Sequence, residues 1–215
     1  MPDSSRPSPK AIRDPTLAQR RAPVQQRSRE RLRRILGAAE ALIGAQGSDR
    51  LKMAELAERA GISIGSLYQY FPDRSAVLHA LAARYNAETR RCIVEALTPV
   101  SDMDGLRRAF SALMAEFHQL VRNGPVMRDI WAGMQADKGL AALQLDESRA
   151  MGRVLADAVA RARPVADRDA LAVTTFLLWD LGEATVRLAI AADETTGARM
   201  IEAYTRMALR ELASE

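Results

Sequence analysis

Gly61 sits in the middle of the stretch KMAELAERAGISIGSLYQYFPDRSAVL, from Lys52 to Leu78, and forces a corner between two short helices. Leu56, Ala57 and Ala60 form one apolar face at helical spacing, and only glycine takes the left-handed backbone that ends such a helix without steric cost. Ser63 stands where the second helix needs a cap, its hydroxyl placed to accept from an amide near Gly65 or Ser66. Leu67 and Phe71, four apart, share the inner side of that helix, while Ile64, Gly65, Tyr68 and Gln69 share the outer side.

That outer face offers Gly, Ser, Tyr and Gln rather than Glu and Lys, which suits a DNA major groove better than bulk water. The groove admits one helix, whose first turn approaches base edges while hydroxyls and backbone amides hold phosphates. Gly65 allows close backbone approach, and Ser66, Tyr68 and Tyr70 are donors for phosphate oxygens. Ile64 fits a thymine methyl, and Gln69 has the groups to bond a base. The competing reading is an ordinary helical hairpin with exposed tyrosines.

Leu56-Ala57, Ala60-Gly61-Ile62-Ser63, Gly65-Ser66-Leu67-Tyr68, Tyr70-Phe71 and Asp73-Arg74 together resemble the DNA-binding signature of TetR-type (tetracycline-repressor) transcription regulators. The resemblance extends upstream through Ile35-Leu36, Ala38-Ala39 and Gly47, and so covers about residues 30 to 80. Two positions depart from the family pattern. Lys52 replaces the usual Thr or Ser at the start of the second helix, and Arg74 replaces Lys at the start of the fourth. Both substitutions keep a phosphate contact, Arg74 with a fork of donors and Lys52 with a cation in place of a capping hydroxyl. The resemblance implies a homodimeric repressor on palindromic double-stranded DNA. It also implies a small molecule that binds the C-terminal core, moves the fourth helix and resets the spacing of two reading heads.

The fold class expected is all-α, because no stretch alternates with the period of a strand. Periodicity and breakers predict about nine helices, near 25–46, 53–60, 64–70, 74–97, 102–122, 125–135, 138–163, 167–192 and 196–213. Asp73 is the expected cap of the fourth, and Ser101 with Asp104 a capping box for the fifth. The organisation read from this is a disordered basic arm over 1–24, a helix-turn-helix domain over 25–72 and a ligand-binding and dimerisation domain over 73–215.

The formal charge of +4 is unevenly placed. Residues 1–34 hold Arg6, Lys10, Arg13, Arg20, Arg21, Arg27, Arg29, Arg31, Arg33 and Arg34 against Asp3, Asp14 and Glu30, so this segment carries the whole excess. Pro2, Pro7, Pro9, Pro15 and Pro23 argue for disorder there. Such an arm lies along phosphates or enters a minor groove, or else is a solvated tail. No apolar run approaches the roughly 18 residues of a membrane span, and the N-terminus lacks a secretory pattern. A cytoplasmic protein is expected, with the single Cys92 a buried small side chain rather than a nucleophile.

Leu171 to Ile190 is apolar around most of its circumference, so it calls for more than one neighbour. Leu177, Leu181 and Leu188 there, with Met200, Tyr204 and Met207 on the last helix, are the expected dimer interface, a four-helix contact about a twofold axis. Phe110, Met114, Phe117, His118, Trp131, Met134, Phe176, Trp179 and Glu183 are the candidates for an effector site, with Met127 beside them. Met and aromatic residues at helical spacing equally well form plain core.

No metal cluster, cofactor motif, nucleophile elbow, phosphate-binding glycine loop or HExxH is present, and two histidines and one cysteine leave little for catalysis. The runner-up to a regulator is therefore a helical ligand-binding or adaptor protein without specific DNA binding. Such a protein has no use for Gly65, Tyr68 and Tyr70 on an open face beside Arg74.

Overall fold

The computed structural model describes the backbone of residues 15–134 and 137–214, with side chains from residue 26 onward except 132–134. Among the described residues nine α-helices follow one another and no strand occurs. They are α1 (Pro15–Gln46), α2 (Met53–Arg59), α3 (Ile64–Tyr68), α4 (Arg74–Leu97), α5 (Met103–Asn123), α6 (Pro125–Met134), α7 (Lys138–Ala162), α8 (Arg168–Ala191) and α9 (Glu194–Ala213). A single 3-10 turn, Ser48–Arg50, bridges α1 and α2.

Helix α1 begins ten residues before the expected start, so part of the segment read as a disordered arm is helical. Proline is at home at the first helical position, where its missing N–H costs nothing, and the following Leu, Ala, Gln, Arg and Glu residues favour helix strongly enough to carry it through Pro23. Residues 1–14 of the expected arm lie outside the described residues. Helix α3 is shorter than expected; Gln69 caps it, and Pro72 just beyond bars continuation. The cap of α5 is Asp102 rather than Ser101, its carboxylate accepting from the Gly105 amide at 2.6 Å, while Asp104 pairs with Arg107 at 2.8 Å. Asp73 caps α4 as expected, accepting from Ala76 at 2.8 Å.

One apolar core runs without interruption from the first three helices into the C-terminal bundle. In the head, Ile35, Ala39, Leu42 and Ile43 of α1 meet Leu56, Leu67 and Phe71, and Val77, Leu78 and Leu81 of α4 close the far side. Helix α4 then continues into the body, where α7, α8 and α9 pack side by side. The α7–α8 contact is close at Gly152 of α7, where a Cβ would lie 2.6 Å from the Cα of Phe176. Only a residue without a side chain lets α7 and α8 come that close.

Helix α4 is fastened along its length. Ser75 and His79 bond Asp137, the cap of α7, at 2.6 and 3.2 Å. Arg84 forms an ion pair with Glu40 of α1, and the Tyr85 hydroxyl donates to the same carboxylate at 2.6 Å. Arg90 grips Glu147 of α7 with two donors, one of them at 2.9 Å. At the C-terminal end of α4 the Arg161 guanidinium donates to the carbonyl of Leu97, one of the acceptors a helix end leaves open, and to that of Val100 just beyond.

Candidate functional site

The corner at Gly61 is a complete Schellman motif. The Ile62 amide bonds the Ala57 carbonyl and the Gly61 amide bonds the Glu58 carbonyl, each at 3.0 Å, with Gly61 at φ +65°. Helix α3 then starts on Ser63, whose hydroxyl accepts from the Ser66 amide at 3.1 Å and donates to the Ser66 hydroxyl at 2.9 Å. Leu67 and Phe71 are buried as expected. The opposite face is open: Ile64 is 43% exposed, Tyr68 50%, and Gly65 and Gln69 are exposed beside them. Nothing lies within 4 Å of where a Gly65 side chain would begin, so no neighbour in the protomer demands glycine there.

The flanking polar residues divide. Lys52, at the N-cap of α2, makes no capping bond and is exposed. Tyr70 is half-buried, with its hydroxyl 3.3 Å from that of Ser28 on α1. Arg74, expected at a phosphate, is exposed and donates through one nitrogen to the carbonyls of Asp49 at 2.7 Å and Ser48 at 3.3 Å. That nitrogen therefore pins the 3-10 turn onto α4. From the other side the Asp129 carboxylate of α6 accepts the Ser48 amide. The arginines of α1, among them Arg27, Arg31 and Arg34 on successive turns, are exposed near this head.

Behind the head lies a cavity of about 420 Å³ between α4, α5, α8 and α9. Of the residues expected at an effector site, Phe110, Met114, Phe117, Trp179 and Glu183 line it. Trp131 does not. It stands against Phe117 edge-to-face at 5.6 Å and borders a separate void of about 30 Å³, together with Met127. His118 is buried off the cavity, where burial, then Arg122, lower its pKa, partly offset by Glu194. Phe176 is taken up by the α7–α8 contact, with Arg149 5.8 Å from its ring centre. The Met134 side chain lies outside the described residues.

The cavity wall contributed by α4 was not anticipated: Tyr85, Glu88, Thr89, Arg91, Cys92 and Ile93. The signal was present, since Tyr85, Thr89 and Cys92-Ile93 continue the helical spacing of Val77-Leu78 and Leu81-Ala82. Cys92 is exposed, contrary to expectation, because it faces this space rather than the core. Tyr204 also corrects a prediction. Expected at the dimer interface, it is 5% exposed in its own protomer and forms part of the cavity wall. Its hydroxyl donates to the Leu178 carbonyl across Gly182, whose missing side chain makes room for the ring. Burial, then the charge of Glu183, pushes the phenol of Tyr204 up.

Glu183 is 6% exposed and receives the Trp179 indole N–H at 3.2 Å, the Gln144 amide, and the Ser148 hydroxyl at 3.4 Å. Burial outweighs these donors and pushes its carboxyl up to about 7. Tyr85, on the opposite wall, is pushed up to about 12 by burial and by its bond to Glu40.

The remaining interface candidates lie outside. Leu177 is 54%, Leu181 45% and Leu188 64% exposed along one side of α8, with Val173 on the same stripe, and Met207 projects from α9. Met200 is half-buried against the core. Among the described residues no helix is long and apolar enough to cross a membrane.

Comparison with known proteins bears on both halves of the chain. Residues 35–81 match the family described as bacterial regulatory proteins, tetR family, and residues 104–215 match the tetracyclin repressor-like C-terminal domain. The HTH-type transcriptional repressor KstR of Rhodococcus jostii is 28% identical over 153 residues, 70% of this chain and 70% of KstR. A TetR-family transcriptional regulator from Streptomyces coelicolor superposes with a TM-score of 0.65 at 26% identity, covering 86% of this chain and 96% of that one. RolR, solved in complex with resorcinol, shares the fold with a TM-score of 0.58 at 22% identity, over 89% of this chain and 96% of its own.

Proposed function

We propose, from the premise that this chain belongs to the TetR family of bacterial regulatory proteins, that it is a cytoplasmic homodimeric repressor released from a palindromic operator by a small molecule. It is a DNA-binding transcriptional regulator.

The reading head is the open face of α3, with Ile64, Gly65, Tyr68 and Gln69 toward base edges. Ser63, Ser66, Tyr70 and Lys52 flank it toward phosphates. The role of Arg74 is to hold the Ser48–Arg50 turn at the start of α2, which sets where Lys52 meets the backbone. The apolar stripe of α8, with Met207, supports pairing of two protomers, and two heads then address half-sites roughly 34 Å apart or a multiple of it.

A single observation carries the ligand step. The Tyr85 ring lines the cavity while its hydroxyl is bonded to Glu40 of α1, the helix on which the head is built. A ligand that occupies the cavity therefore touches a residue that holds α4 to α1. It acts by binding the DNA-incompetent arrangement better than the competent one, and by no other means. The cavity volume falls within the range of about 300–1,000 Å³ usual for small-molecule sites.

The test is a fluorescence-anisotropy titration against the DNA flanking the protein's own gene, with unrelated duplex as competitor, at two salt concentrations. Competitor-resistant binding to a palindromic segment is the expected result. Equal, weak binding to both duplexes would favour the adaptor reading, in which the C-terminal body works without an operator.

A further inference from the structure

The cavity is aromatic and acidic at once, and among the described residues its buried acid has no cation within ion-pair distance. Half of the chain's ten aromatic residues line it: Tyr85, Phe110, Phe117, Trp179 and Tyr204. The charged side chains of its wall are Glu88, Glu116 and Glu183 against Arg91 alone. Arg91 lies 4.0 Å from Glu95 on the solvent side of α4, so even that cation has an acid of its own.

Glu183 is the decisive group. Its three donors, from Trp179, Gln144 and Ser148, are all neutral, and no cation lies within ion-pair distance of it among the described residues. The charges nearest on its own helix oppose each other, Asp180 and Arg187, and Arg187 is drawn aside over the Trp131 ring at 5.8 Å. From α9 only the phenol of Tyr204 faces it, and from α7 the acid Glu147 is already taken by Arg90. A buried carboxylate without a counter-charge is costly, and a positive guest removes that cost. Aromatic faces add to the attraction, because ring quadrupoles draw cations most strongly where water is excluded.

We propose that the effector taken by this cavity is a lipophilic organic cation, an amine or quaternary ammonium on an apolar or aromatic body, with its charge set against Glu183. Anionic effectors are disfavoured by the same wall. The inference rests on the reading of this cavity as the effector site, and deepens it to a ligand class.

The test measures direct binding to the full-length protein by tryptophan fluorescence and calorimetry, using three probes on one naphthylmethyl body. They are 1-naphthylmethyl-trimethylammonium, its neutral carbon isostere 1-neopentylnaphthalene, and 1-naphthylacetate. The expected result is at least a tenfold preference for the cation over the isostere, with the anion weakest. Glu183→Gln, checked for native helix content, is expected to abolish that preference, and Glu116→Gln at the wall to reduce it less. Equal or tighter binding of the isostere, tight binding of the anion, no binding of the cation at millimolar concentration, or a preference that survives Glu183→Gln would each overturn the proposal. Operator release is read separately. A neutral probe that binds and releases DNA would sink the ligand class and leave the repressor reading standing. A cation that binds through Glu183 without releasing DNA would do the reverse.

Discussion

Gly152→Ala should loosen the body of the protein although alanine is the better helix former. The new Cβ would sit 2.6 Å from the Cα of Phe176, 2.9 Å from its amide nitrogen and 3.1 Å from its Cβ. Carbon atoms are comfortable at about 3.5–4.0 Å, so α8 must retreat by about 1 Å or α7 must bend. The obstruction is backbone, which no rotamer change can clear. Overpacking of this kind costs about 1–3 kcal/mol, and the gain in helix propensity returns about 1 kcal/mol of it. Because the obstruction is backbone, the cost falls at the upper end of that range, and a net loss of about 1–2 kcal/mol is expected, read as a lower urea midpoint with unchanged slope at fixed protein concentration. Gly37→Ala is the control: it is also mid-helix but has nothing within 4 Å, and should stabilise by about 0.5–1 kcal/mol. The movement should also stretch the bonds from Gln144 and Ser148 of α7 to Glu183 of α8, and so weaken ligand binding. A Gly152→Ala protein as stable as wild type would refute the packing argument outright.

Tyr68→Ala and Gly65→Glu should each abolish operator binding while leaving helix content and dimer intact, because both positions are open in the protomer; intact binding by both would move the reading face elsewhere. Leu177→Glu with Leu188→Glu should yield a folded monomer by light scattering, and a persistent dimer would exclude the α8 stripe as the interface. Deleting residues 1–22 should weaken operator binding and flatten its salt slope, whereas an unchanged slope would make the N-terminal arginines a solvated extension. Stability should fall as pH rises between about 4.5 and 7, because buried Glu183 keeps its proton in the fold and loses it in the unfolded chain. The contribution is up to about 3 kcal/mol, and urea unfolding of Glu183→Gln at pH 5 and pH 8 should show a smaller difference than wild type. Asp137 and Asp193, both held low by hydrogen bonds, act in the opposite sense, and below that window.

Local chemistry explains which parts of this molecule were legible in the sequence. The corner was legible because Gly61 and Ser63 satisfy backbone groups within their own turn, and no distant residue alters that demand. Most helix spans were legible for the same reason, the start of α1 excepted, and the Asp102 cap was misplaced by one residue because two adjacent oxygens competed for the task. The partners of Arg74 and Tyr204 were not legible, because they lie far along the chain. Arg74 is claimed by carbonyls about two dozen residues upstream, and Tyr204 by a cavity that exists only once α5 and α8 have packed. Periodicity gives the face of a helix but not the neighbour that the face meets.

That same distinction bears on how a ligand could reach the head. Head and body share one core, and α4 is fastened to both α1 and α7, so a shift of α4 loads these bonds. The bonds at Asp137 and Glu147 tie α4 to α7 and lie outside the wall of the cavity. The Tyr85–Glu40 bond alone among these joins that wall to α1. A hydrogen bond to a charged acceptor contributes about 1.5–3 kcal/mol, and a tenfold change in operator affinity requires about 1.4 kcal/mol. If the bond is present in the DNA-competent arrangement alone, its loss to a ligand would therefore supply enough differential energy to switch occupancy of an operator. The Arg84–Glu40 pair would remain as the tether that keeps α1 from separating altogether.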